Sequence, residues 1–231
     1  MPKPKQQKRL LVGIALDRSS SMNSVKAETI SGTNEQFSAL RDSDDAENTF
    51  VAFVTFNQMV FPVFNDGDIN NRKPILVPCS NLKDIGDNDY FPSGTTAMRD
   101  GVLELIEFFE NEAKPIDDVL IIVISDGMEN ASKRISSEEL ASRVKELQDA
   151  GWNFTYIGAN QDLTQVAAET GIHAGNILKW TADSVGTSEA HYTVSNAVRA
   201  YTLSRSESIK NGNMDRVSTN CLYSDSTRDE N

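Results

Sequence analysis

The residues best suited to chemistry come early. Asp17, Ser19 and Ser21 close the run Leu10-Leu-Val-Gly-Ile-Ala-Leu-Asp-Arg-Ser-Ser-Ser-Met22. Asp-x-Ser-x-Ser spacing turns three odd-numbered side chains into one tight loop, all of them hard oxygens suited to a small divalent cation such as Mg2+. The ordinary alternative is a helix start, because Ser and Asp accept hydrogen bonds from the orphan amides there. What precedes the loop bears on the choice. Residues 10–16 are unbroken apolar, which predicts a strand buried on both faces at the centre of a parallel sheet. In open α/β sheets ligands sit beyond the carboxyl ends of such strands.

Two later stretches repeat the pattern. Val119-Leu-Ile-Ile-Val-Ile-Ser-Asp-Gly127 is as apolar as the first strand and also ends in an aspartate, Asp126. Ser93-Gly-Thr-Thr-Ala97 leads into a helical face of Met98, Val102, Ile106 and Phe109. The two most apolar strands of a sheet should be central and adjacent, which brings Asp17/Ser19/Ser21, Gly94-Thr95 and Asp126-Gly127 to one edge. Their two carboxylates balance one divalent cation. Oxygen-only ligands favour Mg2+, Mn2+ or Ca2+ over zinc.

The elements that must position these groups alternate. Strands are expected at residues 10–16, 50–56, 59–64, 119–125, 152–158 and 176–180. Helices are expected at residues 25–40, from after Ala97 until Pro115 ends the segment, from Ser136 or Ser137 to Gly151, at 162–170 and at 190–204. The last of these would face the sheet with Val194, Val198 and Tyr201. Asn57-Gln58 is a tight turn, so the strand after it pairs antiparallel at an edge, where Pro62 is tolerated. Residues 74–78 read as a short extended piece. The fold class is therefore α/β: three layers, doubly wound, with a mostly parallel six-stranded sheet and one antiparallel edge strand. The organisation expected is a basic arm at 1–8, one domain at 9–205 and a polar, mobile tail at 206–231.

Composition excludes several classes. A net charge of −12 over 231 residues disfavours nucleic acid. No run of about 18 apolar residues predicts a membrane span, and the seven after the basic arm are too few for an export signal. Cys79 and Cys221 lie far apart, giving neither a disulfide framework nor a zinc spacing, and the cytoplasm is the default compartment.

Asp17-Arg-Ser-Ser-Ser21, Ser-Gly-Thr before a helix and Ile-Ser-Asp-Gly after an apolar strand together resemble the von Willebrand factor type A domain and its metal-ion-dependent adhesion site. The similarity covers about residues 9–205. Residues 156–162 are similar, more loosely, to small stand-alone members from bacteria and their phages. The resemblance implies that Ser19 and Ser21 hold the metal through their hydroxyls and that Thr95 does so directly or through water. Asp17 and Asp126 would act largely through bound waters, and an open coordination position would accept a carboxylate of a protein partner. Ser93 stands where the family often has a second glycine, so the threonine ligand is Thr95 or Thr96. Thr95, directly after Gly94, is preferred.

The function implied is a non-enzymatic, metal-dependent protein-binding module, alone or beside an ATPase or assembly partner. The alternative is a structural or assembly protein of a phage or bacterial complex that docks through its termini. A Mg2+-dependent phosphoryl-transfer enzyme ranks third, because paired aspartates and a Gly-x-x-x-x-Gly-Lys loop are missing. His173 and His191 read as surface or packing residues, and Glu129 as a general base or an acidic rim. Tyr90 and Phe91 either rim the metal face or pack their loop down.

Overall fold

Strands without alternation need cover on both faces. In the computed structural model, which describes residues 7–64, 73–159 and 162–223, two such strands lie side by side. β1 (Leu10–Asp17) and β5 (Asp118–Ser125) are buried at every position and pair in parallel. β2 (Thr49–Phe56) flanks β1, while β6 (Asn153–Ala159) and β7 (Ile177–Trp180) continue beyond β5, all parallel. β3 (Val60–Pro62) and β4 (Val77–Pro78) both pair antiparallel with β2, at opposite ends of the same edge. The order is β3-β2-β1-β5-β6-β7, with β4 beside β2. This is the expected α/β architecture, with a seventh, two-residue strand where a short extended piece was expected, and with β3 shorter than residues 59–64.

α1 (Lys26–Arg41) and α5 (Ser184–Lys210) cover one face, where Phe37, Val194 and Val198 meet Val12, Ile14, Phe53 and Ile122. α2 (Met98–Glu112), α3 (Ser137–Asp149) and α4 (Leu163–Thr170) cover the other, through Leu105, Phe109, Leu140 and Val166. Gly13 lets α2 approach β1: a β-carbon there would lie 2.8 Å from the Phe109 ring. Gly32 does the same between helices, where an added β-carbon would lie 2.0 Å from the His191 ring. The seated imidazole bonds Gln36 through Nδ1 at 2.9 Å. Ser136 opens α3 with a capping box to Glu139. None of the described helices is long and apolar enough to cross a membrane.

The ends differ from expectation. α5 begins at Ser184 and runs to Lys210, beyond residues 190–204 on both sides. Where it is described, up to Tyr223, the polar stretch after Ser206 ends α5 and then packs along the sheet. Its backbone is paired by side chains of two strands and of the turn before β7: Val217 N–H donates to Asp118, Thr219 N–H to Asn153 and Leu222 N–H to Asn176. Tyr223 is buried, its hydroxyl 2.6 Å from that of Thr155. A segment poor in apolar residues thus docks through hydrogen bonds, a route that hydropathy does not register. Residues 224–231 of the expected tail and 1–6 of the arm lie outside the described residues. Lys8, assigned to that arm, is instead buried, with Nζ 2.8 Å from Asp118. Arg205, fully buried, pairs with Asp118 and Asp45 and donates to the Lys8 carbonyl. Burial pulls its pKa down to about 10.

Candidate metal centre

β1 delivers Asp17 to the carboxyl edge fully buried. Its Oδ1 accepts from the Ser19 N–H at 2.6 Å, and its Oδ2 from the Ser125 hydroxyl of β5 at 2.6 Å. Ser19 precedes a 3-10 turn over Ser20–Val25, yet its side chain makes no capping bond. Its Oγ lies 3.0 Å from Ser21 Oγ, which donates to Asp126 Oδ1 at 2.7 Å. The helix-start reading of the motif therefore does not describe Ser19. Asp17, Ser19, Ser21 and Asp126 form one chain of oxygens.

The third loop is laced to the first. Ser93 N–H donates to the Arg18 carbonyl at 2.7 Å, and Ser20 N–H to the Gly94 carbonyl at 3.1 Å. Gly94 has φ of +79°, and a β-carbon there would strike Gln58. The next two residues face opposite ways. Thr95 is exposed, whereas Thr96 is buried. A β-carbon on Gly127 would stand 3.0 Å from Thr96 Oγ1, 3.6 Å from Ser21 Oγ and 3.7 Å from Asp17 Oδ2. Gly127 thus leaves open a cradle lined by three oxygens, and the threonine facing it is Thr96, not Thr95. Asn130 fixes that choice, since its side chain accepts from Thr96 N–H while its own N–H donates to the Thr96 carbonyl.

Burial pushes the Asp17 carboxyl up to about 6 against the hydrogen bonds of Ser125 and Ser19, with Asp126 adding to the rise. Asp126 is raised as well, again chiefly by burial. Two carboxylates whose burial disfavours their ionised forms, with three hydroxyls, fit a hard divalent cation, whose charge would stabilise those forms. Among the described residues no three His, Cys, Asp or Glu side chains gather as a metal cluster. The set here has only two carboxylates and completes itself with hydroxyls.

Other candidates resolve. Glu129 is neither a free base nor a rim. Its two oxygens accept from the N–H groups of Arg99, Ala131 and Ser132 and from the Ser132 hydroxyl, and these bonds hold its pKa below the ordinary value against burial. His191 is locked between α1 and α5, and His173 follows α4. Tyr90 packs its loop down, and Phe91 stays 52% exposed with the Lys26 ammonium 5.4 Å from its ring centroid. The sequence pattern singled out neither Ser125 nor Asn130, and it favoured Thr95 over Thr96. Thr96 was detectable as the residue two before Met98, the first of α2's inward face.

The von Willebrand factor type A domain model matches residues 12–182. The chain belongs to the von Willebrand factor type A family. A comparison with curated proteins gives no match. Among solved structures, the type A fold is shared with proximal thread matrix protein 1 of the mussel byssus. That match has TM-score 0.57 and 15% identity, covering 85% of this chain and 48% of that one. Another structure of the mussel protein, at TM-score 0.56 and 15% identity over 85% of this chain and 48% of that one, is described with a zinc-occupied MIDAS motif. The vWF domain of the type V pili tip protein Mfa5 from Porphyromonas gingivalis matches with TM-score 0.58 and 10% identity, over 84% of this chain and 96% of that one. This type A chain spans about half the length of the mussel protein, and at these identities the likeness is one of fold.

Proposed function

We propose that this domain is a metal-dependent protein-binding module that captures an acidic side chain of a partner at a metal-ion-dependent adhesion site. Asp17, Ser19, Ser21, Thr96 and Asp126 would hold the ion, Mg2+ foremost with Mn2+ or Ca2+ as alternatives. When bound, the ion would offer a coordination position to an incoming carboxylate. The observation that carries this reading is the cradle at Gly127, where the Thr96 hydroxyl of one loop meets the Ser21 hydroxyl and Asp17 carboxylate of another, beside the loop that carries Asp126. Ser125 and the Ser19 N–H orient Asp17, and Tyr90 and Asn130 hold the loops around it. Cys79 is buried, Cys221 is exposed and the two lie far apart in sequence, which suits a reducing compartment such as the cytoplasm.

Docking through the termini has less support, because Lys8 and Arg9 are engaged by Asp118 and Asp117. Phosphoryl transfer would need a base beside the cluster, and Glu129 is already fully hydrogen-bonded. The test is Mg2+ titration by calorimetry of the wild type and of Ser19→Ala/Ser21→Ala, followed by binding to a carboxylate-bearing peptide with and without Mg2+. Saturable binding lost in the variant, with peptide retained only in Mg2+, supports the reading. A folded wild type that takes no metal, even with carboxylate present, overturns it.

A further inference from the structure

Beside the metal centre lies a cavity of about 310 Å3. Met98 of α2, Met128 of the loop after β5, Tyr156 of β6 and Val166 of α4 supply apolar walls, and Asp162 and Glu169 supply carboxylates. We infer that this cavity is a second subsite for the same partner, taking a lysine or arginine side chain that lies within a few residues of the captured carboxylate. The inference rests on the function proposed above.

Continuity with the centre is built into the chain. Met98 stands two residues beyond Thr96, and Met128 two beyond Asp126. Each pair is thus separated by at most about 7 Å of backbone. One short partner segment can therefore fill both places. The chemistry of the lining selects the occupant. A long cationic side chain has an aliphatic stem that prefers apolar walls and a head that prefers carboxylates. Thioethers adapt to such stems, and Met128 is 74% exposed.

The charges are disposed to match. Among the described residues no lysine or arginine lines the cavity. Arg99 pairs with Glu129, which also borders it, at 3.8 Å, and Lys179 acts on Asp162 from β7. Both cations lie outside the lining. Glu169 Oε1 accepts from Gln165, while its Oε2 has no hydrogen-bond partner among the described residues. A guanidinium or ammonium entering there would meet acceptors on α4 with its stem against the methionines.

The test uses the full chain with 13C-methyl methionine, and N-acetyl-argininamide and N-acetyl-norleucinamide as probes. The arginine probe should shift the Met98 and Met128 methyls saturably, with the norleucine probe at least fivefold weaker. Glu169→Gln should weaken the arginine probe at least fivefold while the other methionine methyls keep their positions. In Mg2+, a peptide carrying Asp and Arg two residues apart should bind at least tenfold tighter than its norleucine counterpart. Absent shifts at Met98 and Met128, or equal binding of the norleucine probe, overturn the subsite. Mg2+ binding without arginine-dependent shifts fails the cavity alone. Arginine-dependent shifts in a chain that takes no Mg2+ fail the metal reading and keep the cation site.

Discussion

The Tyr90 hydroxyl donates to the main-chain carbonyl of Asp17 at 2.5 Å, from a side chain with no exposed surface. It ties the loop before Gly94 to the last peptide of β1. Tyr90→Phe keeps the ring and leaves that carbonyl unpaired in the interior, which costs about 1–3 kcal/mol. The expected result is a lower melting temperature together with weaker Mg2+ binding, measured by calorimetry. Unchanged Mg2+ affinity would mean that the bond serves packing only.

Gly127→Ala separates the site from the fold. Gly127 is not among the glycines with positive φ, so its backbone accepts alanine. The new methyl would fill the cradle 3.0 Å from Thr96 Oγ1. Thermal stability should change by about 1 kcal/mol or less while Mg2+ affinity falls at least about tenfold. Tight Mg2+ binding by this variant would place the ion elsewhere.

Acid should act on the site through Asp17. Its folded pKa of about 6 lies above the 3.8 of a free aspartate, so between those values the folded chain holds the extra proton. This carboxyl's stabilisation is full below 3.8 and is lost as pH rises through about 6, an effect of about 3 kcal/mol. His191 runs oppositely. Burial lowers it from 6.5 to about 4, so its contribution is full above 6.5 and is lost as pH falls toward 4. Comparing wild type with Asp17→Asn isolates the carboxyl. Without metal, the wild type should lose ground to the variant between pH 4 and 7. Added Mg2+ should reverse that trend, with no Mg2+ stabilisation remaining near pH 4. A difference between the two proteins that is flat with pH would refute the assignment.

At the opposite pole of the sheet, Arg205→Ala would leave Asp118 and Asp45 buried with one partner fewer. Removing one member of a buried pair costs about 3–5 kcal/mol. Denaturant unfolding should show that loss, with Mg2+ affinity retained in the folded fraction because the cluster lies at the far ends of the strands. A loss under 1 kcal/mol would mean that Lys8 alone neutralises Asp118.

The fold was legible where burial is two-sided and helix chemistry is local. β1 and β5 announce themselves by unbroken apolar runs, and Ser136 with Glu139 by their spacing. The opening turns of α5 do not, since Ser184-Val-Gly-Thr-Ser188 carries little apolar periodicity and is opened by Asp183, which caps Gly186 N–H. The segment holding Val217 and Tyr223 escaped notice because its partners, Asn153 and Asn176, are distant in sequence. At the site, Asp17, Ser19, Ser21 and Asp126 were readable from strand ends. Thr96 was not separated from Thr95, because that choice depends on how one peptide of an extended segment is rotated, and Asn130 sets the rotation from another loop.

The seat of His191 over Gly32 makes the contact between α1 and α5 a toothed one. A ring lodged in the notch left by a missing β-carbon resists small axial slippage, since any partial slide drives imidazole into backbone. Four residues to either side of His191 stand Thr187 and Ser195, both buried on α5. Each is small enough to occupy the notch after a displacement of one helical turn, about 5.4 Å. Gly32 and His191 thereby hold α5 in one axial register on α1, with no seat for the ring at positions short of a full turn.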